Sequence, residues 1–269
     1  MLALALSAAI QIAAQARAIQ PGELLILTIT LPEHRDLVRV RAFDRDITPF
    51  AIDERSWRAL VGIDLDTKPG AYMIGVEAGP GLTRSYAVTV RPKHFPTRRL
   101  TVDEDFVEPP AALGERLTRE AKLLSSTWAH PAPDRFWRPP FVRPVPQAAN
   151  SAFGTRSIFN GKPRNPHGGA DFLSPAGTPI HAPNAGRVVV ARDLYFTGNT
   201  IVIDHGQGLF SMLAHLSSIA VHEGDQTERG DVIGLVGATG RVTGPHLHWA
   251  VRASGARIDP LSLLALLGS

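Results

Sequence analysis

The chain has 269 residues, of which 44% are hydrophobic, so it is long enough for two modest domains. It contains no cysteine, which excludes disulfides, a lipid-modified N-terminal cysteine and thiolate metal ligands. The formal net charge is only +3 and the basic residues are scattered, a balance that suits an anionic polymer but does not predict nucleic-acid binding.

The N-terminal sixteen residues are rich in Ala and Leu and end in a small-x-small pattern, Ala14-Gln15-Ala16. This pattern is typical of a secretory signal peptide spanning residues 1–16, and it predicts cleavage before Arg17. No Lys or Arg precedes Arg17, so the basic start of such a leader is missing; a start further upstream and a buried helix are the alternatives. The apolar part is too short to remain as a membrane span. We therefore expect a periplasmic or secreted protein with no integral membrane segment after processing.

Residues 17–97 are predicted to form a β-sandwich of immunoglobulin-like kind. Short alternating runs are separated by turn residues such as Lys68-Pro69-Gly70 and Gly79-Pro80-Gly81, with no helical pattern between them. The predicted strands are residues 24–31, 38–42, 57–65, 72–76 and 85–90.

Residues 98–147 are predicted to be a helix followed by a Pro-rich linker. The helix is indicated by apolar residues at helical spacing with charges between them, namely Leu113, Leu117, Ala121 and Leu124. Six prolines between residues 130 and 146 prevent its continuation. Phe136, Trp137 and Phe141 lie among these prolines and either pack the linker against its neighbours or line a substrate groove.

Residues 148–269 are predicted to be an antiparallel β-sheet domain, with strands at 178–183, 186–191, 199–204, 209–213 and 231–236. The segment 221–234 also resembles the hammerhead turn of biotinyl and lipoyl carrier domains. Such carriers present a lysine for modification, whereas Lys162, the only lysine after Lys122, has no carrier motif around it. Shared sheet geometry explains this likeness better than shared function.

A pair of histidines lies near the end of this part, in His246-Leu247-His248-Trp249. In a strand, residues two apart project from one face, so both imidazoles can reach one small object. Two neutral imidazoles suit a transition metal, although two surface histidines are the plainer alternative.

A further histidine and a carboxylate, His167 and Asp171, lie upstream with Gly168 and Gly169 between them, which favours a loop that leads into a strand. His167, Asp171 and one histidine of the pair would give zinc three protein ligands and leave the fourth position for water. His215 stands in an apolar run, where a buried structural histidine is the alternative.

His-x3-Asp, a lone histidine before Leu, and Gly-Pro-His-Leu-His-Trp follow one another within about eighty residues. This order resembles the M23 family of zinc metallopeptidases, the lysostaphin and LytM-type peptidoglycan endopeptidases, over residues 151–266. The resemblance implies that His167, Asp171 and His248 bind one zinc ion per chain, and that His215 and His246 are the catalytic histidines. The family often has tyrosine where this chain has Leu213, which puts a supporting contact in doubt.

The resemblance implies an exported zinc metalloendopeptidase that hydrolyses peptide crosslinks of peptidoglycan, with stem peptides or crossbridges as partners and no nucleic acid. The alternative is a catalytically silent LytM-like regulator that activates a cell-wall amidase. The bond cleaved and the identity of the catalytic base stay open. We also expect residues 148–269 to remain folded after deletion of residues 17–96.

Overall fold

A computed structural model of the chain describes residues 9–101, 104, 107–149 and 153–268. Its secondary structure is mostly β, with antiparallel sheets and few helices, which confirms the predicted fold class. Among these residues, no helix has the length and apolar character needed to cross a membrane. The first eight residues of the predicted signal peptide lie outside the described part.

The N-terminal part is a sandwich of two four-stranded sheets. Its strands are β1 (Gln11–Ala16), β2 (Leu24–Thr30), β3 (Arg39–Ala42), β4 (Arg45–Ile47), β5 (Phe50–Ala51), β6 (Ser56–Gly62), β7 (Gly70–Glu77) and β8 (Thr83–Val90). One sheet has the order β1-β2-β6-β5 and the other β4-β3-β7-β8, with antiparallel pairing throughout. Apolar side chains from both sheets, among them Leu27, Val40 and Ile74, form the core between them.

Strand β2 is buried on both faces because its sequence is apolar at nearly every position. Leu25, Leu27 and Ile29 point into the sandwich core. Leu24 and Ile26 project from the opposite face and belong to the core of the C-terminal part. The strand therefore joins two cores that the sequence predicted to be separate.

The predicted cleavage before Arg17 stays a prediction, and the stretch that it would remove includes strand β1. Gln11 to Ala16 pair in register with Thr30 to Leu25 of β2. Ile10 is 2% exposed in the sandwich core, and Ile12 packs against it. Cleavage at that point would remove an edge strand and uncover apolar side chains.

The middle of the chain begins with a small three-stranded sheet, in which β9 (Thr97–Leu100) runs parallel to β10 (Arg156–Phe159), which pairs with β11 (Lys162–Pro163). After a short 3₁₀ turn at Ala111–Leu113 comes helix α1 (Gly114–Ala129), at the place predicted. Its apolar face is supplied by Leu123, Leu124 and Trp128, which pack on the C-terminal sheet.

The C-terminal part is one large antiparallel sheet with a closing helix. Its elements are β12 (Gly169–Phe172), β13 (Pro179–His181), β14 (Gly186–Leu194), β15 (Gly198–Gly206), β16 (Leu209–Ile219), β17 (Gln226–Thr227), β18 (Val232–Val236), β19 (Leu247–Ala253), β20 (Ala256–Ile258) and α2 (Pro260–Leu267). The main order is β12-β19-β16-β15-β14-β17, and β18 joins β13 to β16. This order brings β12, β19 and β16 side by side.

The Pro-rich linker packs between the two parts. Trp137 and Phe141 are buried, and the Trp137 ring meets Phe50 of the N-terminal sheet edge-on, with 5.5 Å between ring centroids. Leu24, Ile26, Phe50 and Leu60 belong to the same core cluster as the residues of the C-terminal sheet. This shared core does not support the expectation that residues 148–269 remain folded when residues 17–96 are deleted.

Candidate metal centre

Pairing between β12 and β19 places Asp171 directly opposite His248. Directly opposed residues of an antiparallel pair project from the same face, so these two side chains approach each other. His167 enters from the loop before β12, where its N–H donates to the carbonyl of Thr155 at 2.9 Å. Sheet register and one anchored loop thus bring together residues that are 81 positions apart.

His215 reaches the same place through an irregular backbone. Its neighbour Ala214 pairs with His248 across β16 and β19, so in a regular strand the next side chain would point to the opposite face. His215 instead has φ of +69°, and its ring centroid lies 4.9 Å from that of His246. The left-handed backbone therefore turns this histidine towards the others.

Three candidate ligand atoms form a tight triangle. His167 Nε2 and His248 Nδ1 each lie 3.0 Å from Asp171 Oδ1, and they lie 2.9 Å from each other. Around a tetrahedral zinc ion with bonds of about 2.0–2.1 Å, neighbouring ligand atoms are roughly 3.3 Å apart. The three residues therefore fit a zinc site, and the donor set of two imidazoles and one carboxylate is one that zinc accepts.

Hydrogen bonds among His167, Asp171 and His248 do not by themselves satisfy the three facing atoms well. If both rings donated a proton to Asp171, the two N–H groups would face each other across 2.9 Å. A cation shared by the three lone pairs removes that conflict.

Asp171 supplies the negative charge of the centre. Burial disfavours the charged carboxylate, but hydrogen bonds with His167 and His248 outweigh it and hold the carboxyl pKa of Asp171 well below its ordinary value. Burial lowers the pKa of His248, which favours its neutral form. An ionised carboxylate beside a neutral imidazole is the combination that a divalent cation requires.

His215 and His246 are held in one tautomer by backbone carbonyls. His215 Nδ1 donates to Thr239 O and His246 Nδ1 donates to Gly244 O, each at 2.9 Å. Since a carbonyl can only accept, the proton of each neutral ring is on Nδ1 and Nε2 keeps its lone pair. His246 Nε2 lies 3.8 Å from Asp171 Oδ1, so that lone pair is beside the candidate metal centre.

Burial is the main influence on the protonation of His215. Burial, together with repulsion from His248, lowers the pKa of His215 to about 3. The ring is therefore neutral at neutral pH, with the lone pair on Nε2.

Sequence reasoning did not single out Gly169, although the double glycine was noted. A Cβ at Gly169 would lie 2.7 Å from His248 Cε1 and 2.5 Å from the carbonyl oxygen of Trp249. Only glycine leaves room there for the His248 ring. At the neighbouring Gly168, an added Cβ would have no atom within 4 Å. Steric crowding therefore requires glycine at position 169 but not at position 168.

Thr239 was also missed, because its contacts are distant in sequence. Its Oγ1 accepts from Asn199 N at 2.9 Å and donates to Leu216 O at 2.8 Å, while its carbonyl holds His215. The adjoining Gly240 has φ of +74° and packs against Gly198. Thr239 thus connects the 237–246 loop to the strands behind it.

The remaining histidines of this part lie outside the group. His205 is fully buried, hydrogen-bonds to Ala185 O and Ser211 Oγ, and has a pKa lowered to about 4 by burial. His181 Nδ1 contacts Gly230 O at 2.7 Å. Leu213 is fully buried in the C-terminal core, so it offers no polar contact to the centre.

Comparison with known proteins identifies the same region. The family model described as Peptidase family M23 matches residues 165–260. The peptidoglycan DD-endopeptidase ShyA of Vibrio cholerae is 44% identical over 96 residues, which are 36% of this chain and 22% of that protein. The DD-carboxypeptidase/endopeptidase Mpg of Neisseria meningitidis is 40% identical over 97 residues, again 36% of this chain and 22% of the relative. The chain therefore spans about a fifth of the length of these curated relatives.

A solved structure extends the similarity to most of the chain. The crystal structure of a Pseudomonas aeruginosa protein assigned to peptidase M23 is 34% identical and superposes with a TM-score of 0.72. The match covers 93% of this chain and 96% of that one, so it includes the N-terminal sandwich as well as the candidate metal centre.

Proposed function

The chain belongs to peptidase family M23, and from this premise we propose that it is a zinc metalloendopeptidase of the cell envelope that hydrolyses peptide crosslinks of bacterial peptidoglycan. The observation that carries the proposal is the triangle of His167 Nε2, Asp171 Oδ1 and His248 Nδ1, each about 3 Å from the others. A complete ligand set favours an enzyme over a silent regulator, because a regulator has no need of a metal-binding triangle.

Zinc held by His167, Asp171 and His248 would supply Lewis acidity, making a water molecule acidic near neutral pH and polarising the scissile carbonyl. The single negative charge of Asp171 leaves a net charge of about +1 at the centre, which moderates that acidity.

His215 and His246 would manage the protons of the reaction. Each presents Nε2 to the same space and fixes that orientation by donating from Nδ1 to a carbonyl. One ring accepts the proton of the attacking water and passes it to the leaving amine. The other, once protonated, donates a hydrogen bond to the oxyanion that develops on the carbonyl.

The relatives support crosslinks between stem peptides as the substrate. ShyA is named a peptidoglycan DD-endopeptidase and Mpg a DD-carboxypeptidase/endopeptidase. We therefore propose cleavage of a D,D-peptide bond in crosslinked stem peptides. That substrate lies outside the cytoplasmic membrane, which is the reason for proposing a periplasmic or secreted location.

The test is mass spectrometry of fragments released from defined peptidoglycans by the purified chain. Uncrosslinked stem peptides should accumulate, a chelator should stop their release, and added Zn²⁺ should restore it. A His246→Gln variant in the same reaction controls for contaminating hydrolases. Cleavage that persists in the chelator, or intact crosslinks after prolonged incubation with Zn²⁺, would contradict the proposal.

A further inference from the structure

Arg58 and Arg135 lie where the N-terminal sheet contacts the Pro-rich linker, and Arg138 is near enough to repel Arg135; we name these three residues the arginine cluster. The guanidinium carbon of Arg135 lies 4.1 Å from the ring centroid of Phe50 and 5.2 Å from that of Trp137. Arg58 pairs directly with Phe50 across β5 and β6, so both side chains project from one face of the sheet. Arg58 and Arg135 therefore flank the same aromatic ring.

No carboxylate neutralises the positive charge of this cluster within the described part of the chain. None of its arginines forms an ion pair there, whereas Arg39 and Arg41 on β3 are paired with Glu77 and Asp46. Arg58 Nε is buried without a hydrogen-bond partner. Burial, with repulsion from Arg138 and Arg58, lowers the pKa of Arg135. Like charges held together in this way favour the binding of an anion.

The cluster and the metal centre lie at opposite ends of β15. Near residue 205 the linker is anchored, because Phe136 N donates to His205 O at 3.0 Å. At the other end, Asn199 N donates to Thr239 Oγ1, next to the contact that holds His215. Six residues of strand span about 20 Å at 3.3 Å per residue. A ligand that contacts both places at once must therefore span about 20 Å, which an extended polymer can do.

We propose that the arginine cluster is a second, non-catalytic binding site for the carboxylates of the peptidoglycan polymer. The choice of polymer rests on the proposed function. Guanidinium groups bind carboxylates through paired, charge-assisted N–H bonds, and stem peptides carry free carboxylates at regular intervals. Attachment at the cluster raises the local concentration of crosslinks at the metal centre without a change in its chemistry.

The experiment measures binding of the full chain to purified sacculi by co-sedimentation, in a His246→Gln background that prevents digestion. The cluster variant, in which both Arg135 and Arg138 are replaced by Gln, should bind sacculi about tenfold more weakly. This is the loss expected for two solvent-screened charge contacts to a multivalent surface. Arg138→Gln alone, at an exposed position, should give a smaller loss. Thermal unfolding of each variant shows whether the loss of the Arg135 contact with Phe50 affects folding. If it does, Arg138→Gln alone still tests the proposal, because it leaves that contact in place.

A matched control is the pair Arg39→Gln and Arg41→Gln, which changes net charge equally but removes arginines that already have carboxylate partners. This control should bind like the parent. Sacculi with carboxyl groups converted to amides should bind parent and cluster variant equally weakly.

Equal binding of parent and cluster variant to untreated sacculi would overturn the proposal, as would an equal loss in the control. A loss seen only with vesicles of anionic phospholipid would replace the polymer by a membrane surface and would also overturn it. Turnover of soluble crosslinked stem peptides by the His246-intact chain tests the proposed function separately, and the cluster variant should retain it.

Discussion

The carbonyl oxygen of Thr239 accepts a hydrogen bond from Nδ1 of His215 at 2.9 Å. Thr239 is itself fixed through its hydroxyl, which bridges Asn199 N and Leu216 O on two adjacent strands. The Thr239 side chain therefore helps to hold the carbonyl group that orients the His215 ring.

Replacement of Thr239 by Val should lower kcat about tenfold, because the side-chain shape is kept but both hydroxyl hydrogen bonds are lost and His215 is no longer well oriented. KM should change little, and bound zinc should stay at one per chain. Thr239→Ser restores the hydroxyl and should recover most of kcat. A Val variant with full turnover, or a Ser variant as impaired as Val, would show that the hydroxyl does not position His215.

The five predicted site residues should separate into two groups when replaced by Ala. His167→Ala, Asp171→Ala and His248→Ala should lose zinc, because each removes one corner of the ligand triangle. His215→Ala and His246→Ala should retain zinc but lose turnover by a factor of about 10²–10⁴, the usual contribution of a positioned proton-transfer group. Metal content after dialysis and rate on a crosslinked peptide are the measurements. Full zinc retention in all five variants would remove the ligand assignment.

Gly169→Ala should disrupt the metal centre, because the new Cβ would meet the His248 ring and the Trp249 carbonyl at well under van der Waals distance. We expect a loss of zinc affinity and of roughly 1–3 kcal/mol in the free energy of unfolding. Gly168→Ala is the matched control, since nothing lies within 4 Å of its Cβ position. Equal zinc affinities of the two variants would mean that the strand shifts to accept the methyl group.

Which residues group at the candidate site could largely be predicted from the sequence, because that prediction depends on residue type and short spacing. The spacing of His246 and His248 predicts one strand face, and β19 begins at Leu247, directly after His246. The His167 to Asp171 spacing with two glycines predicts a loop that leads into a strand, as found at β12. The contacts of Thr239 and Gly169, and the left-handed backbone of His215, depend on which strands become neighbours. Local spacing contains no such information.

Two features of the N-terminal part, strand β1 and the double-faced burial of β2, were not predicted from the sequence. A short strand of small residues, Gln11–Ala16, has the composition of a cleavage region, and only its pairing with β2 distinguishes the two. The sequence predicts an ordinary sandwich strand over residues 24–31, which contains the apolar run Leu24 to Leu27. Burial on both faces is typical of such runs, so the run already indicated a second packed surface.

Removal of residues 1–16 should destabilise the chain, because it deletes β1 and uncovers the edge of β2. We expect a fall of several degrees in Tm and a greater tendency to aggregate, since an unpaired apolar edge invites association. A chain that begins at residue 9 keeps β1 and is the control.

Deletion of residues 17–96 should be more damaging, because Trp137 and the rest of the shared core lose the side chains of Leu24, Ile26 and Phe50. A soluble, cooperatively folding deletion product would contradict the shared core.

The contact between the two parts should weaken in acid through Asp64, which lies after β6. Its carboxylate accepts from Arg257 of β20 through the side chain at 2.7 Å and the backbone N–H at 2.8 Å. Burial opposes ionisation, but these hydrogen bonds outweigh it and lower the pKa of Asp64 in the folded chain. A lowered pKa means that the stabilisation is complete above the unfolded value of about 3.9 and is lost as pH falls through the folded value.

Asp64→Asn should therefore cost roughly 2 kcal/mol in the free energy of unfolding at pH 7, a typical value for hydrogen bonds to a charged group, and the difference from the parent should shrink below about pH 4. Asp66→Asn is the control: Asp66 contacts the same arginine at 2.7 Å, but its side chain is 69% exposed, so we expect less than about 1 kcal/mol. Denaturant unfolding of the three chains between pH 3 and pH 7, an interval chosen around that unfolded value of about 3.9, measures both effects. A parent-to-Asn difference that stays constant across this range would mean that the ionised carboxylate of Asp64 does not stabilise the contact.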